Sequence, residues 1–378
     1  MHVQYSIQEK VIDLLRLPLM IGVVIIHGRF TDRLQPQLLD NVVSGGGYFY
    51  VSWLLSRVLC GLCVPMFFLI SGYLFFYKGV FSISFYFRKL KKRISSILVP
   101  FLLWNILYMV LWALSDFRIA RNDDAEILGI VPYITGLTSN IFRDIYQWVT
   151  GMFVNFNGAS APVNIPFWYL RDLICMFVLS PIVFWFSKYT RLYGLILLGI
   201  AWILLGKYTT FPYGILGFNM RPAVLFFIMG AIFSVNKKNM VEELTKIGPW
   251  IYALYGVVAL LDLLSVNMEC NSYIHRLTIL IGIITVFKIG LMVVVYRKDI
   301  ESPLFKKVKE TNFFIYASHW LVLYLLAFPL GKLAAGTSDL FMALLYILQI
   351  VLCCVICIAA GLLLNRYFPK SMKVLNGR

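Results

Sequence analysis

The feature that most constrains this chain is a succession of apolar segments, each about twenty residues long, that follow one another from near residue 9 to near residue 365. A segment of ~20 apolar residues crosses a hydrocarbon core of roughly 30 Å. Backbone amides and carbonyls inside that core find no water, so such segments fold as helices that satisfy their own hydrogen bonds. Composition agrees. Charged residues make up only 14% of the chain and mean hydropathy is +0.81, where a soluble domain carries roughly a quarter charged residues. The expected fold is all-α: a polytopic membrane protein with about ten transmembrane helices, forming a single transmembrane domain over residues 1–378. Spans are predicted at 9–28, 51–76, 96–114, 166–186, 192–206, 221–235, 248–265, 274–296, 312–330 and 339–365.

A net charge of +16 would suggest nucleic acid as the partner of a soluble protein. In this chain the lipid bilayer is the expected partner and nucleic acid is not, because basic residues hold loops on the cytoplasmic side. The segments assigned to the inner side (77–95, 188–191, 237–246, 297–309 and 366–378) carry more than twice as many Lys and Arg as the outer ones. That asymmetry places both termini in the cytoplasm. Met1–Lys10 is polar and no small-residue cleavage site follows the first apolar run, so that run is expected to stay as a helix. The inner loop 77–95 mixes aromatics with a basic cluster, as an interfacial helix or a phosphate-facing loop does. The outer loop 115–165 contains TSNIFRDIYQWVTGMF, an amphipathic stretch suited to capping a site from outside. No internal repeat supports an inverted-repeat transporter. Cys353, Cys354 and Cys357 lack His or carboxylate companions, so no metal is expected and they read as small packing residues.

Function then rests on the few charges inside the spans, each costing at least ~2.5 kcal/mol on insertion scales. The cations are Arg16, Arg57, Arg171 and Lys288, and the nearby acids are Asp13, Asp172 and Asp262. Asp13 lies one turn from Arg16 and can pair with it. Asp172 follows Arg171 directly, so the two side chains are expected to point apart. The surplus of cations suits an anion such as phosphate or carboxylate. Snorkelling to the interface is the structural alternative for Arg57 and Lys288.

The sharpest constellation is on the first helix, IDLLRLPLMIGVVIIHG. At 100° per residue, Arg16 and His27 return to within about 20° of one face and stand about 16 Å apart along the axis. A neutral imidazole can take a proton from a hydroxyl at physiological pH; a histidine at a helix end can equally be structural. Ser71 and Gly72 fit close helix packing better than a nucleophile, since no base adjoins them.

Several segments together resemble the acyltransferase 3 family of bacterial membrane acyltransferases. Asp13, Arg16 and His27 look like its Arg-x10-His motif, and VPMFFLISGYLFF is similar to its Pro-x-Phe-Phe-x-x-Ser-Gly-Tyr-Leu element at Pro65–Leu74. RKLKKRISSILVPFLLWN has the character of the family's basic loop leading to a proline-started helix at Pro100. FWYLRDL (Phe167–Leu173) and IYASHWLV (Ile315–Val322) match its Phe-Trp-Tyr-Leu-Arg and Tyr-x-x-His elements. The sequence departs from the pattern at Pro18, which is placed to kink the first helix, and in the lysines of the basic loop.

The resemblance implies transfer of a short acyl group, acetyl first among candidates, to a glycan or lipid-linked saccharide acceptor at the outer face of a bacterial inner membrane. The donor would be cytoplasmic acyl-CoA, a substrate, with no bound cofactor. Arg16 and His27 would be the catalytic pair, with CoA bound by Arg88, Lys89, Lys92 and Arg93 of the basic loop. Arg171, Arg57 or Tyr169 would steady the oxyanion or orient the sugar, with Trp168 stacking on it and His319 as a second polar group beside the donor path. A transporter or flippase of an anionic or glycosylated solute is the alternative.

Overall fold

A computed structural model describes residues 2–29, 46–79, 81–122, 162, 164–204, 220–297, 302–334 and 337–377. Every regular element among them is helical. Helix α1 (His2–His27) is followed by α2 (Gly47–Trp53), a π-helical turn (Leu54–Leu59) and α3 (Cys63–Phe76). Helix α4 (Ile83–Arg93) runs through a second π-helical turn (Ile94–Leu98) into α5 (Val99–Asn122). Then come α6 (Trp168–Val178), α7 (Ser180–Thr190), α8 (Tyr193–Leu204), α9 (Met220–Val235), α10 (Met240–Thr245), α11 (Trp250–Leu264) and α12 (Asn271–Tyr296). The chain closes with α13 (Pro303–Glu310), α14 (Asn312–Ala334), α15 (Asp339–Tyr367) and α16 (Pro369–Leu375).

Among the described residues, five helical stretches are long and apolar enough to cross a bilayer: Gly47–Phe76, Ile83–Leu111, Asn271–Tyr296, Asn312–Ala334 and Asp339–Tyr367. A sixth crossing is available as a bent pair, Ile165–Val178 with Ser180–Thr190. The protein is thus a multi-pass membrane protein, and each of the predicted spans overlaps a helix. The span predicted at 166–186 is not straight, however, because α6 and α7 meet at 70°. Pro181 sits in the first turn of α7 and lacks the N–H that would continue the ladder from α6, so the helix breaks at Leu179, whose ψ is 0°. Of the two forms expected for the basic segment, the structure shows the helix. The cluster Arg88–Arg93 lies on α4, capped by Ser82, whose hydroxyl accepts from Phe85 N at 3.1 Å. The amphipathic stretch of the outer loop, residues 138–153, lies outside the described residues.

The centre of the bundle is α3 packed on α9. A methyl on Gly72 would meet Phe227 O at 2.0 Å, and one on Gly230 would meet Leu69 O at 1.9 Å. The two backbones therefore approach as only glycine permits, which is the packing role expected for Gly72. Around this seam Phe68, Phe75, Phe226, Phe227, Ala231 and Ile232 are wholly buried. The short span α9 is thus an interior helix, enclosed by protein. Lys288 on α12 does not act as a free cation, since its ammonium donates to Thr245 O at 3.0 Å and to Ile247 O. It satisfies carbonyls left open where α10 ends.

Candidate active site

The first helix holds its alignment despite Pro18. Helix α1 is continuous from His2 to His27 with Pro18 inside it, and Arg16 and His27 line one cavity of about 390 Å³. That volume falls within the roughly 300–1,000 Å³ of small-molecule sites. Met20 and Val23 form the stripe between them, as a 3.6-residue period requires. The opposite wall comes from Val64, Phe67 and Ser71 of α3, Trp168 and Tyr169 of α6, and Tyr316 of α14.

The two ends of the cavity differ in chemistry. At the Arg16 end, Asp13 lies 3.8 Å from the Arg16 guanidinium and also takes the Lys309 ammonium. Glu310, Asn312 and Ser96 line the same end. Ser96 belongs to the π-helical turn at Ile94–Leu98, an irregularity of the kind often found at functional sites. At the other end His27 has aromatic company. The His319 ring centroid is 5.5 Å away and Trp320 stands edge-on at 5.5 Å. His319 is wholly buried. Its Nδ1 lies 2.7 Å from Tyr316 O and 3.2 Å from Ile315 O. A carbonyl only accepts, so Nδ1 carries the proton and Nε2 keeps a lone pair in the neutral ring. His319 is thus bonded within its own helix and its ring faces His27.

Tyr169 lies in the wall, its hydroxyl 3.2 Å from Ser71 Oγ. Trp168 lies beside it. Other expected site residues are elsewhere. Arg171 is buried outside the cavity lining and its Nε and Nη2 each lie 3.0 Å from Asp172 Oδ1. The expectation that these neighbours point apart is therefore corrected. Both are buried, and an arginine is long enough to fold back on the adjacent carboxylate rather than leave two charges uncompensated. Arg57 is exposed on the π-helical turn, its guanidinium 5.0 Å over the Trp53 ring.

The basic helix divides. Arg88 and Lys92 are exposed, and the Arg88 and Lys89 side chains lie over the Phe85 ring, away from the cavity lining. Arg93 alone of the four turns inward. Its guanidinium sits 5.1 Å over Phe177, its Nε is buried without a hydrogen-bond partner, and it lies within electrostatic reach of Tyr169 and Arg16.

Lys309, Glu310, Asn312 and Tyr316 were not singled out from the sequence. Tyr316 is the tyrosine of the Tyr-x-x-His element that carries His319. The signal for Lys309 and Glu310 was their place at the very start of the apolar segment bearing that element, where a charge sits at the mouth of whatever the helix lines.

A family model described as an acyltransferase domain matches residues 9–366. The succinoglycan biosynthesis protein ExoH of Rhizobium meliloti (strain 1021) is 26% identical over 378 residues, a match that covers 97% of this chain and 91% of that protein. No solved structure matches the chain.

Proposed function

The chain belongs to the acyltransferase 3 family, and from that premise we propose that it moves a short acyl group from cytoplasmic acyl-CoA to a hydroxyl of an extracytoplasmic glycan. The observation that carries the reading is the shared cavity, with Arg16 at one end and His27 at the other. Family membership supports an acyltransferase, and not the transporter alternative. The name of the relative ExoH ties it to making a bacterial glycan, which favours a saccharide as acceptor here.

In this reading the chain crosses the inner membrane ten times with both termini in the cytoplasm, as the Lys and Arg distribution favours. The Arg16 end is then cytoplasmic. Arg16, Lys309 and Arg93 together outnumber the carboxylates Asp13 and Glu310 around it, which suits the phosphates of CoA. The slim pantetheine arm lies along Met20 and Val23, bringing the thioester towards His27. His27 takes the proton from the acceptor hydroxyl as that oxygen bonds to the thioester carbon. The carbon–sulfur bond breaks, and the departing CoA thiolate receives the proton from the His27 imidazolium. Atoms and charge balance with an ester and free CoA as products. Tyr169, held by Ser71, offers a hydroxyl to the developing oxyanion, and Trp168 offers an aromatic face to a sugar.

The test is release of free CoA by the purified protein in proteoliposomes, supplied with acetyl-CoA or succinyl-CoA outside and a saccharide acceptor in the lumen. Release that needs acceptor and is lost in His27→Ala is expected. Release at the same rate in His27→Ala would overturn the assignment of the base.

A further inference from the structure

The turn of α14 that carries His319 is not held by its own helix alone. In an α-helix the carbonyl of Ala317 and the amide of Leu321 are joined directly. Here the Tyr108 hydroxyl engages both of these groups from outside the helix, donating to Ala317 O at 3.1 Å and accepting from Leu321 N at 3.0 Å. A side-chain hydroxyl bonded to both ends of one ladder step biases the local path of a helix, and the residues inside this turn include His319 and Trp320, the two that face His27.

The same carbonyl has another external donor. Asn164 Nδ2 donates to Ala317 O at 3.0 Å, while Asn164 N donates to Asn105 Oδ1 at 3.1 Å. Asn105 and Tyr108 lie one turn apart on α5, so one face of that helix supplies both this hydroxyl and the anchor for Asn164. Tyr316 completes the arrangement. Its hydroxyl donates to Pro166 O at 2.6 Å and its ring stacks on Phe167 at 5.3 Å. Tyr108, Asn105 and Asn164 are all buried. Three polar side chains buried among apolar helices carry a desolvation cost; Tyr108 and Asn164 reach one turn of α14 directly and Asn105 holds Asn164 in place.

We propose that Tyr108 is a positioning residue of the acyl-transfer site, its hydroxyl setting the turn of α14 that presents His319 and Trp320 to His27. The proposal rests on the reading of His27 as the base only for its catalytic consequence. The geometric claim stands apart and is tested apart.

The chain has four histidines, few enough for each ring to be followed by nitrogen NMR of histidine-labelled protein in nanodiscs, assigned with single substitutions. Tyr108→Phe removes the hydroxyl and keeps the buried ring. The His319 and His27 ring signals are expected to move, with a changed balance of the two His319 tautomers, while His275 and His2 stay. Asn164→Ala, which removes the other donor to Ala317 O, is expected to move the same two signals to a smaller extent. In the acyl-transfer assay Tyr108→Phe should lower kcat by about tenfold or more with donor KM held within about twofold, as misplacement of a reacting group does.

Unmoved His27 and His319 signals in both variants would overturn the proposal, as would all four histidines moving together. If instead His27→Ala releases CoA at the normal rate, the acyl-transfer reading of His27 falls. The NMR result still decides whether Tyr108 sets the turn.

Discussion

His27 and His275 are each half-buried on a helix of the same bundle, and they are held in opposite ways. His275 on α12 gives its Nδ1 to the buried carboxylate of Asp262 on α11 at 2.8 Å. That carboxylate also accepts from Asn271 at 3.0 Å. A carboxylate orienting an imidazole is what one looks for beside a general base, yet this pair lies off the cavity lining. His27 stands on the cavity, and the rings around it belong to His319 and Trp320. The comparison teaches that the hydrogen-bonded dyad is a structural clasp, closing α11 on α12 and compensating a buried acid. On the proposed reading, a place on the cavity shared with Arg16 and Lys309 is what sets His27 apart as the base.

The largest effect expected from breaking this comparison is on turnover. His27→Ala should lower acyl transfer by about 10²–10⁴-fold, the usual contribution of a positioned base, while His275→Ala stays within about twofold; CoA release assays on the two variants decide it. Equal losses in both would erase the distinction. Next is donor affinity. Arg16→Ala removes charge-assisted hydrogen bonds worth about 1.5–3 kcal/mol, which weakens acyl-CoA binding roughly ten- to a hundredfold and is read by calorimetric titration. Stability should then report on the other histidine. His275→Ala leaves buried Asp262 with Asn271 but without its imidazole partner, costing about 1–3 kcal/mol, seen as a lower melting temperature than that of His27→Ala. Smallest is the outer face of α4, where Lys92→Ala should change donor affinity less than about twofold, as an exposed charge does. Arg93→Ala on the inner face should weaken binding more than Lys92→Ala does.

Periodicity carried much of this. The Arg16–His27 stripe is a property of one helix, and helical geometry alone puts both residues on one wall even with Pro18 between them. Gly72 was legible for a similar reason, since small residues in an apolar helix mark close approach. What escaped is set by contacts between distant segments. No spacing rule brings Lys309 to Asp13 or Tyr108 to the Ala317 carbonyl, because these depend on how α13, α14 and α5 dock. Arg171 and Asp172 escaped for the reverse reason: alternation along a helix says where side chains leave the backbone, and a long flexible one can turn back. The bend at Leu179 was readable from Pro181 but was hidden by the apolar run that continues through it.

The central claim is that the cavity along α1 receives acyl-CoA from the Arg16 end and reacts at the His27 end. It is tested most directly by thermal stabilisation of the detergent-purified protein with acetyl-CoA, succinyl-CoA or free CoA. A ligand bound only by the folded state adds about 2.7 kcal/mol at a hundredfold excess over its Kd, so no acceptor is needed. The account predicts stabilisation that Arg16→Ala abolishes and His27→Ala retains. Absence of stabilisation by every CoA species, with all three proteins well folded, would contradict it.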